Sequence, residues 1–242
     1  MTIAIPIDGA SAGEATIAVI DDDANAAPDA ITFSGQIGST QVGSLTVGNS
    51  TQGGSAIFTS TSGVNIGTLT VTGGDNAAEN SAAEFQDSLT ATSVTLDDNT
   101  GTATVTINTT NGAQTIADWS GNALLGTIDG ATAGEGTLAV KDDDDSAAAQ
   151  AATFSGNIGG SNSLGAITVG SATEAGSAVF QGTVAATNIT VDGGDNSSET
   201  GLVEFQKAVT ATAISLDDNT GVVTATFNAT NGDVTVAGTI DG

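Results

Sequence analysis

Short apolar alternations broken by Gly, Asn and Asp recur along the whole chain. Asn188–Val191 and Thr102–Asn108 alternate apolar with hydroxyl or amide residues, the period-two signature of half-buried strands. Such runs end in Gly, Asn or Asp, which tolerate turn and left-handed backbone. The phenylalanines mark the period. Phe33, Phe58 and Phe85 stand 25 and 27 positions apart, with Ile107 following at 22. Phe154, Phe180, Phe205 and Phe227 follow one another at 26, 25 and 22. A unit of about 20–30 residues made of short β-runs cannot bury its own apolar face, so copies must stack. The pattern predicts an all-β parallel β-solenoid, with each Phe inward on the Phe of the next coil.

A longer repeat overlies this one. IDGASAGEATIAVIDDD at Ile7–Asp23 returns as IDGATAGEGTLAVKDDD at Ile128–Asp144, 121 residues later. GGDN at Gly73–Asn76 and LDDNTG at Leu96–Gly101 return at Gly193–Asn196 and Leu216–Gly221, both offset by 120. The chain therefore divides into a first long repeat, residues 1–127, and a second, residues 128–242, stacked as one solenoid. Each holds about five short units, starting in the second copy near Thr137, Thr153, Ala178, Val203 and Thr224. That gives about ten coils, or about 50 Å at the usual inter-strand spacing. The copies differ chiefly by an insert at Ala117–Leu124, which carries the one tryptophan, Trp119, and is expected to protrude as a loop.

A competing reading takes LDDNTGTATV (Leu96–Val105) and NATNGDVTV (Asn228–Val236) as antiparallel hairpins. Each copy would then be a β-sandwich, and the acidic stretches Ile20–Ala30 and Lys141–Ala151 would be linkers. The Phe spacing runs through those same segments and favours solenoid corners.

Composition narrows the function. Asp and Glu number 28 against Lys141 and Lys207, a formal net charge of −26, with no His or Cys. Nucleic acid and anionic membrane surfaces are excluded as partners, because both need clustered cations. No apolar run approaches the ~18–20 residues that span a bilayer, and Met1–Pro6 lacks the charged and apolar regions of a signal peptide. An absence of Cys excludes a disulfide-stapled scaffold. Disorder, the usual fate of acidic Gly/Ser/Thr-rich chains, is opposed by 38% apolar residues and by the regular Phe spacing. Without His, Cys or Tyr the common bases and nucleophiles are missing. Paired carboxylates alone could cleave a polysaccharide, but the Asp residues cluster in turns with few aromatics, so no enzyme is expected.

Those same carboxylates are candidate calcium ligands, being oxygen donors of the hard type calcium prefers. They are Asp21, Asp22 and Asp23; Asp142, Asp143, Asp144 and Asp145; the pairs Asp97/Asp98 and Asp217/Asp218; and Asp75, Asp192 and Asp195. The plainer reading of each is a solvated turn residue. Stacked coils would place turn carboxylates about 5 Å apart in columns, where repulsion favours a cation between them.

The TV/LT/AT cadence, the F-S-G and F-Q-G units (Phe33–Gly35, Phe154–Gly156, Phe180–Gly182) and the scarcity of Lys, Arg, His and Cys resemble repeat regions of large bacterial cell-surface proteins. S-layer proteins and the β-helical passengers of adhesins and autotransporters are the nearest types. The resemblance implies a secreted β-helix that assembles on or outside the cell, often with calcium. GEATIAVIDDD (Gly13–Asp23) and GEGTLAVKDDD (Gly134–Asp144) resemble instead the strand and Asp run that close Calx-β sandwich domains. The calcium nonapeptide G-G-x-G-x-D is not matched, since Gly73-Gly74-Asp75-Asn76-Ala77-Ala78 departs from it at Asn76 and Ala78.

The expected function is a structural segment of an extracellular surface assembly (filament, sheath or S-layer), stacked head to tail on itself and calcium-stabilised. Other cell-surface polymers are further partners. The alternatives are an adhesin or stalk module of a giant repeat protein and a carboxylate-based β-helix enzyme. Ile240-Asp241-Gly242 repeats the opening of a copy, and neither TIAIPID nor VTVAGTIDG looks like a cap.

Overall fold

The computed structural model describes residues 1–21, 28–117, 126–143, 149–231 and 233–242. Two sheets run the length of the stack, and the ladders between their strands are parallel. This is a β-solenoid of about eight turns, a stack about 40 Å long at a strand spacing of ~4.8 Å. The hairpin reading is overturned. Leu89–Asp97 pairs with Val64–Thr72, and Ala103–Asn108 with Ser81–Phe85, so Asp98–Thr102 is a corner between two parallel ladders. Glu14–Val19 and Glu135–Lys141, the strands that resemble a sandwich edge, are likewise rungs of parallel ladders.

Each coil has three apolar legs. The first is a short Phe strand such as Gly54–Phe58, with Ala56 and Phe58 inward. The next strand, Val64–Thr72, supplies the other two. Val64 and Ile66 are buried, Gly67 and Thr68 both face outward, and Leu69 and Val71 are buried again. Two outward residues in succession break the period-two alternation, so the inward face can be kept only if the strand bends there. Leu89–Asp97 and Val184–Asp192 bend in the same way at Thr92–Ser93 and Thr187–Asn188.

Three apolar ladders follow from the register. One runs Ile3, Phe33, Phe58, Phe85, Ile107, Val140, Val169, Val191, Leu216. A second runs Ile7, Ile37, Val64, Leu89, Ile116, Phe154, Phe180, Phe205, Phe227. The third runs Ile17, Leu45, Leu69, Val94, Ile128, Ile158, Val184, Val209, Val236. Within the first two, phenylalanine rings stack with centroids 4.8–5.5 Å apart and planes within 19°. Offset stacking adds about 0.5–1.5 kcal/mol per pair to the burial of the rings.

The phenylalanine row thus changes ladder. Phe154 does not continue Phe85 and Ile107; it stacks on Ile116. Four whole coils plus one leg separate Phe33 from Phe154, so the second copy is turned by one leg relative to the first. The expectation of about ten coils is close to this count, though two of the strand starts read as separate units share a coil. Thr137 and Thr153 begin neighbouring legs of one coil, Glu135–Lys141 in one sheet and Ala151–Phe154 in the other.

An element with Thr-x-Ala and Ile-Asp-Gly occurs three times. It is Thr2–Gly9, then Thr115–Ala117 with Thr127–Gly130, then Thr235–Gly242. The middle one lies between Leu89–Asp97 below and Ala151–Phe154 with Ile158 above. Strand Thr127–Gly130 itself straddles the boundary between the long repeats. The insert with Trp119 falls outside the described residues.

Candidate acidic sites and the joint between the copies

Most of the acidic candidates that the structure describes hold the backbone of their own turns. Asp21 Oδ2 accepts the Asp29 N–H at 2.7 Å, and its counterpart Asp142, which is buried, accepts the Gln150 N–H at 2.8 Å. Each carboxylate thereby ties together two residues eight positions apart in the sequence. Asp97 and Asp217 accept the N–H groups of Asn99 and Asn219 at 3.3 and 3.1 Å. Both asparagines sit at positive φ, 36° and 47°, which an Asx turn accommodates. Asp98 and Asp218 reach further, to the N–H of Ala103 at 2.8 Å and of Val223 at 3.0 Å. Asp75 and Asp195 are exposed at the tips of the GGDN turns, which are closed by Asn76 and Asn196 rather than by the aspartates. Asp22, Asp23, Asp144 and Asp145 lie outside the described residues. Among the described residues no three acidic groups converge as a metal ion would require.

One pair does form the expected column. Asp192 and Asp217 are register partners on adjacent coils. Burial, then the charge of Asp217, pushes the Asp192 carboxyl above its usual range, against an opposing hydrogen bond from Asn219. In the first copy the place of Asp192 is taken by Thr72, opposite Asp97, so no such pair forms.

The sequence reading missed a polar cluster of Asn108, Glu84, Lys141 and Asp143. It lies where the second copy stacks on the first. Asn108 donates to Glu84 Oε1 and to Asp143 Oδ2, both at 2.8 Å. Lys141 is the register partner of Asn108, and its ammonium sits 3.0 Å from Asp143 Oδ2 and 3.4 Å from Glu84 Oε2. Burial works against the Lys141 charge, but the Asp143 and Glu84 carboxylates outweigh it and hold its pKa above the ordinary lysine value. Asp98 adds a second tie across the same joint, since its Oδ2 accepts the Gly136 N–H at 2.9 Å. Asp98 and Asp143 thus bind protein groups of both copies. The available signal was the scarcity of cations: a chain with two lysines had placed one of them in a strand of the repeat.

Comparisons with family models, with curated proteins and with solved structures find no match to this chain. The class defined by the fold and its polar clusters is a parallel β-solenoid whose carboxylates serve its turns and its joint.

Proposed function

We propose that this chain is a structural segment of an extracellular surface assembly, a filament, sheath or S-layer, formed by end-to-end stacking of solenoids. The internal joint carries this reading. There the second copy stacks on the first through both sheets, and Ile107 and Ile128 are buried, at 0% and 2% exposure. A head-to-tail contact of this kind does not close on itself and so gives fibres or lattices.

The net charge of −26 supports an extracellular setting and calcium as a stabilising counterion, because self-repulsion between stacked acidic coils falls with divalent cations. Other cell-surface polymers are candidate partners on the same grounds, and the role is that of a scaffold rather than an enzyme. A stalk or adhesin module within a longer repeat protein is the second reading. The internal joint favours it, since there one copy continues into the next through both sheets.

Sedimentation velocity and negative-stain imaging across rising concentration, with calcium or with a chelator, test the assembly. Concentration-dependent fibres that dissolve in chelator are expected. Monomers at every concentration in calcium overturn end-to-end assembly of this chain.

A further inference from the structure

The polar cluster at the internal joint sets an amine beside a side-chain amide, with two carboxylates touching both. We propose that this is a bond-forming site. Lys141 Nζ attacks Asn108 Cγ, Glu84 moves the proton, and an isopeptide bond joins the two copies with release of ammonia. The inference is independent of the assembly reading, because both residues belong to one chain.

Four observations carry it. Lys141 and Asn108 are register partners on adjacent parallel strands. Their side-chain nitrogens share one acceptor: Asp143 Oδ2 lies 2.8 Å from Asn108 Nδ2 and 3.0 Å from Lys141 Nζ. Glu84 spans the same two groups with separate oxygens, Oε1 at 2.8 Å from the amide nitrogen and Oε2 at 3.4 Å from the ammonium. Last, Asn108 Oδ1 accepts both the N–H and the hydroxyl of Thr110, and that hydroxyl oxygen is fixed in turn by the Asp143 N–H at 3.0 Å. The oxygen that gains charge on attack thus already has two donors, as in an oxyanion hole. Asn108 is 1% exposed, which shields its amide carbon from water. Holding amine and amide together in this way turns a slow bimolecular aminolysis into an intramolecular step.

The carboxylates that pair with the ammonium are also the bases that take its proton. Glu84 Oε2 accepts one proton from Lys141, which frees the amine as nucleophile. The Nζ–Cγ bond forms and the negative charge moves to Oδ1. Nζ gives a second proton to Asp143, Glu84 returns its proton to Nδ2, and the Cγ–Nδ2 bond breaks. The leaving ammonia takes the proton from Asp143 and departs as ammonium. An alkylammonium and a primary amide become a secondary amide and an ammonium ion, with both carboxylates restored.

The acceptor half of the site recurs in the second copy, where Asn228 donates to Glu204 Oε1 at 2.8 Å and Thr230 serves Asn228 Oδ1. The lysine does not recur, since Ile20 fills its place in the first copy. In a chain that has not reacted, Lys141 contributes its ion pair alone.

The intact mass of the purified full chain tests the proposal. It should lie one ammonia below the mass of the sequence. Cleavage after glutamate separates Asn108, in fragment 85–135, from Lys141, in fragment 136–174. Tandem mass spectrometry should instead find the two fragments joined through these residues. Lys141→Arg keeps the charge without forming the bond and should show its full sequence mass. Glu84→Gln should lower the linked fraction at least about tenfold, as the loss of a general acid–base group does. A full sequence mass for the wild-type chain after prolonged incubation overturns the proposal. So does an ammonia loss that persists in Lys141→Arg, which marks ring closure at Asn111-Gly112 instead. Equal linkage in wild type and Glu84→Gln overturns the role given to Glu84.

Discussion

The two halves of this solenoid carry the same motifs in different surroundings. In the first half the phenylalanine row lies on the ladder that begins at Ile3; in the second it lies on the ladder that begins at Ile7. Phe85 meets Ile107 on the next coil, while its counterpart Phe205 meets Phe227. Asp97 faces Thr72 where Asp217 faces Asp192. Glu84 is capped by a lysine of the following copy, whereas Glu204 stands beneath an edge strand. A repeat in sequence is therefore not a repeat in environment when its length is not a whole number of coils. Stability in a stacked array is set by nearest neighbours, and here the neighbours differ.

The largest expected effects fall on the buried rings. Phe58→Ala and Phe180→Ala should each cost about 3–5 kcal/mol in urea unfolding, because both rings are fully buried between two others. Phe227→Ala, at the exposed edge, should cost roughly 1–2 kcal/mol by the same reasoning. Equal losses at Phe180 and Phe227 would mean that the ring stack does not end at Phe227. A double-mutant cycle sharpens the change of ladder. Ile116→Val with Phe154→Leu should show a coupling of about 0.5–3 kcal/mol, and Ile107→Val with Phe154→Leu should be near additive. The opposite result would place both phenylalanine rows on one ladder.

Smaller effects separate the charged sites. Lys141→Met should lower stability by up to ~1 kcal/mol, since both partners of the ion pair are partly exposed and screened. Lys207→Met should change little, and high salt should narrow the difference. Asp192→Asn should raise the melting temperature slightly at neutral pH. The folded-state pKa of Asp192 is raised, so the native state holds its proton more tightly than the unfolded chain. The penalty is therefore present above the folded pKa and fades as pH falls through it. The gap between variant and wild type should close on acidification. Thr72→Asp should create the same acid-relieved penalty in the first half, opposite Asp97.

The parallel stacking and the local ring stacks were legible because Phe spacing reports coil length directly. Even Ile107 was placed correctly as the rung after Phe85. The turn of the second copy was not legible. It depends on whether Ala103–Asn108 is followed on the same leg by Glu135–Lys141 or by Ala151–Phe154, and both strands are short and apolar in alternate positions. The start of an individual coil was blurred for the same reason, because a leg and a coil look alike when only strand starts are read. Among the acidic candidates, the hydrogen bonds follow the plainer reading, that of turn residues. Asp21, Asp97, Asp98, Asp142 and Asp217 all accept backbone N–H groups, an assignment that needs the turn geometry.

The change of ladder is the central claim, and a nuclear Overhauser contact tests it most directly. In a sample labelled on isoleucine δ1 methyls and phenylalanine rings, the ring of Phe154 should show a contact to the methyl of Ile116 and none to that of Ile107. A contact from Phe154 to Ile107, with none to Ile116, would contradict the account.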